Sequence, residues 1–155
     1  MYYLILKSLH ILAVVLFLGN IITGVFWKFH GDRTGTLQGR AQALDGIIRS
    51  DRWFTLPGVV AIIATGVLLA MTMGLPLLGT KWIAWSLILF GISGAVFSAL
   101  VAPLQKKLLA NVRAGLDGNW NESEYHRMSR AWEIWGWVAT LTPVAALVLM
   151  VTKPA

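Results

Sequence analysis

The chain has no cysteine. That absence excludes disulfides, thiolate metal sites, iron–sulfur clusters and cysteine nucleophiles together. Charge is sparse as well: 13% of the 155 residues are Asp, Glu, Lys or Arg, against roughly 25% in an ordinary soluble domain. The three histidines show no metal-ligand spacing, and no carboxylate pair, nucleophile elbow or P-loop occurs. A net charge of +6 often marks a nucleic-acid binder. Here the basic residues sit in two connections between apolar segments, so the expected partner is a lipid bilayer and no nucleic acid.

What the sequence has in quantity is hydrocarbon, with 57% hydrophobic residues and a mean hydropathy of +0.68. Four long apolar segments, at about residues 3–27, 53–78, 82–102 and 134–152, each meet the length needed to cross a bilayer. The expected fold is all-α: a four-helix transmembrane bundle, one integral membrane domain over residues 1–155, with both termini on one side. The N-terminus makes a poor signal peptide, because its apolar run is too long and no small-residue cleavage site follows, and it is expected to be retained.

The first long connection carries Lys28, Arg33, Arg40, Arg49 and Arg52, and the second Lys106, Lys107, Arg113, Arg127 and Arg130. The short turn between the second and third spans offers only Lys81. The positive-inside rule then puts both long connections in the cytoplasm and both termini outside. Tryptophan placement agrees: Trp27, Trp53, Trp132, Trp135 and Trp137 form an expected inner belt, and Trp82 and Trp85 an outer one. Within the connections, Leu37, Ala41, Leu44 and Ile48, and then Leu104, Leu108, Val112 and Leu116, recur at helical spacing. Basic residues accompany each stripe, which predicts two amphipathic helices lying on the inner leaflet. Pro103 should bend or end the third span before its amphipathic piece, and Pro143 should kink the fourth. Glu133 is placed to pair with Arg130, Arg49 or Arg52.

The first span is the most informative. From Leu9 to Trp27 it carries no formal charge with His10 neutral, and on a helix advancing ~100° per residue His10, Ala13, Phe17, Asn20 and Gly24 share one narrow face. Lipid cannot hydrogen-bond an imidazole or a carboxamide, so this face should look toward other helices. His10 is open to three readings: a haem or metal ligand on an inward face, a proton relay, or a histidine bonded to a carbonyl or reaching outward to water. A relay needs an acidic partner at similar depth, and none is visible in the spans. His30 and His126 lie at the opposite surface, ~20 Å away along the membrane normal, too far to share an iron with His10.

The blocks LKSLHILAVVLFLGN, RSDRWFTLPGVVAIIATG, VAPLQ and WEIWGWVATLTPVAALVLM resemble a family of bacterial integral membrane proteins catalogued as a domain of unknown function, number twenty-two sixty-nine. That resemblance covers nearly the whole chain, implies a multi-pass protein of the bacterial inner membrane, and brings no activity with it. More distantly, Leu9-His10 after Lys7 resembles the opening of J-type protoporphyrinogen oxidases and of copper-resistance D-type membrane proteins. In the oxidase group the histidine matching His10 is associated with haem b. The resulting expectation is a haem b or metal site at His10, with Phe17 and Asn20 lining the same cleft, serving membrane redox or tetrapyrrole chemistry. The rival expectation is a membrane subunit or small-solute permease without cofactor, whose small-residue faces serve packing with a second copy or a membrane partner.

Overall fold

The structure, a computed structural model, describes residues 1–154; Ala155, the last residue of the expected domain, lies outside the described residues. Helix α1 spans Tyr2–Arg33, α2 Leu37–Ser50, α3 Leu56–Thr72, α4 Lys81–Val96, α5 Ala102–Leu116 and α6 Glu122–Thr152. No strand occurs among the described residues. Helices α2 and α3 are one rod of 36 residues, and so are α4 and α5. Four helices are therefore long and apolar enough to cross a membrane. Each rod reaches ~50 Å, well beyond the ~30 Å of a hydrocarbon core.

This changes the expected picture of the connections. The amphipathic segments do not branch off as separate helices; they prolong the second and third rods. Their apolar stripes face each other: Leu44, Leu108 and Val112 have no measurable exposure and join Tyr125, Met128 and Trp132 in one cluster. Burying each such aliphatic side chain is worth ~1.5–3 kcal/mol. Pairing the two stripes removes more apolar area than laying either flat against headgroups. Short, well-capped turns hold the rods antiparallel. Gly35 takes φ +67, and Thr36 Oγ1 accepts from Gly39 N at 3.1 Å to start α2. Asn121 Oδ1 accepts from Glu124 N at 3.1 Å to start α6.

Pro103 does not end its rod. Each rod absorbs its proline with one wide π turn, Asp51–Thr55 before Pro57 and Phe97–Val101 before Pro103. The physical cause is common to both: proline lacks an N–H, and its ring crowds the carbonyl four residues back. Widening the preceding turn relieves the clash without breaking the helix. Leu56 N–H then bonds Asp51 O, and Ala102 N–H bonds Phe97 O. Helix α6 likewise continues through Pro143.

The two ends of the bundle are built differently. At the basal end, holding the 34–36 and 117–121 turns, α2 packs on α1 and α5, and α5 on α6. At the other end the helices form two pairs, α1 with α3 and α4 with α6. No Cα of α3 approaches one of α4 within 8 Å, and the same holds for α1 and α4. Serine hydroxyls tie the second pair, Ser93 Oγ donating to Ala139 O at 2.6 Å and Ser86 Oγ to Ala146 O at 3.3 Å. Between the pairs, the rings of Phe17 and Phe90 meet with centroids 5.4 Å apart.

The basal end is closed by a buried charge. Lys28 is only 1% exposed; its Nζ donates to Asp32 Oδ2 and, at 2.8 Å, to Ser129 Oγ. The Tyr125 and Trp132 rings lie 5.2 and 5.7 Å from it, and the Tyr125 hydroxyl donates to Asp32 Oδ1. Lys28 thus fastens α1 to α6, and Trp132, expected in an interfacial belt, is buried at 3% exposure. Glu133 forms no ion pair among the described residues: its Oε1 accepts from Ser129 Oγ at 3.3 Å, while Arg49 pairs with Asp45 at 2.8 Å. Replacing Lys28 by Ala removes the buried cation and leaves Asp32, a quarter exposed, with the Tyr125 hydroxyl and with Arg40 at 3.8 Å, so the cost should stand at ~3 kcal/mol, the low end for a broken buried pair. Equilibrium unfolding of Lys28→Ala in mixed micelles should show that loss; a change below ~1 kcal/mol would mean that Lys28 does not hold the base.

Candidate functional site

The polar face of α1 does turn toward a neighbouring helix, α3, but its three marked residues meet three different environments. Thr65 donates its hydroxyl to Ala61 O at 2.5 Å, which leaves its oxygen to accept from His10 Nδ1–H at 2.9 Å. The ring lies against the bare backbone of Gly66, where a Cβ would stand 3.2 Å from His10 Cε1. Phe17, 3% exposed, packs beside Gly58, whose missing side chain lets the helices close. Asn20 Nδ2 donates to Thr55 Oγ1 at 2.9 Å and to Asp51 Oδ1 at 3.2 Å.

Asp51 is the centre of that cluster. Its Oδ1 accepts from Asn20 and from the Thr55 hydroxyl at 2.9 Å, and its Oδ2 from Gln105 Nε2 at 3.1 Å. The first π turn makes the geometry: it puts Asp51 and Thr55 at its two ends with both side chains toward α1. Gln105 arrives from α5, immediately beyond the other proline. Asp51 consequently links the α1/α3 pair to the rod of the α4/α6 pair. The paired acids are Asp32, Asp45, Glu122 and Glu124, and no ion pair reaches Asp51 among the described residues.

Above this cluster, between the two helix pairs, lies a cavity of about 190 Å³. Its wall is almost entirely hydrocarbon, from Phe17, Ile21, Val59, Ile63, Phe90, Phe97 and Ala139, among others. The polar exceptions include Asp51, Thr55 and Gln105 at one end and Trp132. The Ser93 and Thr140 hydroxyls are spent on Ala139 O and Gly136 O. Trp132 differs: its indole Nε1 is buried with no hydrogen-bond partner. Gly91, Gly94 and Gly136 also line the space, and a Cβ added at any of them would meet nothing within 4 Å.

Of the three residues singled out on α1, only Phe17 lines the cavity. As an axial ligand His10 has one suitable property, since Thr65 holds Nδ1 and leaves Nε2 for a metal. The space does not match a porphyrin lying between helices of one chain: Gly66 closes one side of the ring, and the cavity does not extend to it. No group of three His, Cys, Asp or Glu capable of holding a metal occurs among the described residues. Asp51 and Gln105 were not marked by the sequence pattern, and Trp132 was marked only as part of the inner aromatic belt. A signal existed for Asp51, a carboxylate six residues before a proline within an unbroken helical pattern, but the basic connection around it read as surface.

The family model described as "Predicted integral membrane protein (DUF2269)" matches residues 4–154, and the chain belongs to that family. No curated protein and no solved structure matches it.

Removing Asn20 takes two hydrogen bonds from the Asp51 cluster, so Asn20→Ala should cost ~1–3 kcal/mol. Asn20→Asp sets a second carboxylate against the first and should unfold at a lower temperature than Asn20→Ala in the same detergent. The reverse order would show that Asp51 carries no charge there.

Proposed function

We propose that this member of the family is a membrane-embedded binding protein for a small molecule, a permease or a ligand-binding subunit, with the cavity between its helix pairs as the site. One observation carries the reading: a wall otherwise made of hydrocarbon holds at one end a carboxylate with no ion pair among the described residues, beside the Thr55 hydroxyl and the Gln105 amide. A cavity that is merely a packing fault is apolar throughout and stays dry. A largely apolar cleft with a few convergent polar groups is the ordinary form of a ligand site, and an ionisable side chain within a membrane bundle ordinarily serves function. The gap between α3 and α4 gives entry from the bilayer. With ten of the 13 basic residues in the two long connections, the Asp51 end faces the cytoplasm of a bacterial cell and the protein sits in the inner membrane.

A cavity of this size exceeds the ~150 Å³ that admits benzene and falls below the ~300 Å³ of drug-sized sites. The occupant is then a single ring or its equivalent with a short polar arm. The rival reading, haem b or a metal at His10 serving redox or tetrapyrrole chemistry, has the Thr65 contact in its favour. The closed space beside the ring gives the cavity reading the better support.

Two measurements test this. In nanodiscs of zwitterionic lipid, 4-fluorobenzyl alcohol should give a saturable, shifted 19F resonance with the wild-type protein, weaker with Gly136→Ala and absent with Gly136→Leu, which fills the space. Binding unaffected by Gly136→Leu would overturn the assignment. Protein purified from haem-replete cells should show no Soret band; a band that disappears in His10→Ala would put the site at His10 instead.

A further inference from the structure

We infer that the cavity takes a small hydrophobic ammonium ion, its charged head on Asp51 and its ring-sized body between Phe17, Phe90 and Phe97. The inference rests on the cavity being a binding site, as proposed above, and names the class of molecule it selects.

Counting lone pairs comes first. A carboxylate offers about four acceptor positions. Asp51 uses two on Oδ1, for Asn20 and Thr55, and one on Oδ2, for Gln105. One position on Oδ2 remains, on a residue that lines the cavity. All three donors are neutral. They fix the orientation of the carboxylate and leave it without an ion pair among the described residues, a costly state for a half-buried acid between membrane helices. An ammonium group supplies both missing parts, a donor for Oδ2 and a positive charge.

The same chain shows how it accommodates a cation away from water. Lys28 Nζ rests on a carboxylate, Asp32, and a hydroxyl, Ser129, with the rings of Tyr125 and Trp132 within 6 Å. The cavity repeats that chemical set with Asp51, the Thr55 hydroxyl and the rings of Phe17, Phe90 and Phe97, but no side chain among the described residues supplies the cation. Aromatic faces attract cations through their quadrupole, most strongly where water is excluded. They also cover a ring-shaped apolar body.

The test compares two probes of nearly equal shape, 4-fluorobenzylamine and 4-fluorobenzyl alcohol, by 19F titration of the full-length protein at neutral pH. Zwitterionic nanodiscs keep the amine from collecting at anionic headgroups, and Gly136→Leu reports any amine bound outside the cavity. The amine should bind at least ~10-fold tighter than the alcohol. Asp51→Asn, nearly isosteric, should erase most of that advantage and leave alcohol binding within ~3-fold. Equal affinities for the two probes overturn the cation assignment while leaving the cavity as a site for neutral molecules. Saturable binding of neither probe overturns both. Amine binding that survives Asp51→Asn or Gly136→Leu unchanged places the amine elsewhere and also refutes the assignment. Should Asp51→Asn fail to fold, the wild-type ratio decides alone, and a value near one is a refutation.

Discussion

Asp51 accepts hydrogen bonds from helices on both sides of the bundle, and the architecture depends on that carboxylate being held where the two rods widen into π turns. Through Asn20 and Thr55 it belongs to the α1/α3 pair; through Gln105 it reaches the rod that continues into the α4/α6 pair. Below it the four rods close around a conventional aliphatic and aromatic core. Above it they separate into two pairs. Hydrogen bonds inside a low-dielectric bundle are strong and directional, so one well-satisfied acceptor can set the spacing of helices that lipid, as apolar as their own side chains, gives no hydrophobic reason to approach.

The prolines and the π turns belong to the same device. Pro57 and Pro103 stand at the same distance beyond their wide turns, on antiparallel rods. Each widened turn changes the phase of the helix by a fraction of a turn, which aims Asp51 and Thr55 in one rod, and Phe97 and Val101 in the other, at the shared space between the pairs. The glycines of α4 and α6 then keep that space open. A straight α-helix with the same residues would send some of these side chains elsewhere.

Two charged side chains, Lys28 buried and Asp51 half-buried, divide the molecule by chemistry as well as by shape. Lys28 is matched with a carboxylate, a hydroxyl and two rings, and so works as a clasp between α1 and α6. Asp51 is matched only with neutral donors. The first arrangement is complete in itself; the second has one acceptor position left over beside a partly open apolar cleft. That difference separates a structural contact from a candidate site.

Four apolar segments of spanning length, no strand, and an α1 face that must turn from lipid were legible in the residues, because each follows from local composition and a 3.6-residue period. His10 and Phe17 look toward α3 and Asn20 toward the π turn before it, as an imidazole and a carboxamide in a membrane must. The apolar stripes of residues 37–48 and 104–116 were equally legible as stripes. Whether they meet a membrane surface or each other depends on the continuation of the rods through Pro57 and Pro103, and local pattern carries no record of that. Lys28 and Trp132 read as surface residues because their types usually are; the partners that bury them lie about a hundred positions away on another helix. The sequence by itself determined the number of helices, their apolar lengths and the inward side of the first, since those are properties of one helix in one solvent. Only the tertiary structure decided which polar groups meet, which are left without partners and where space remains, since these depend on distances between helices.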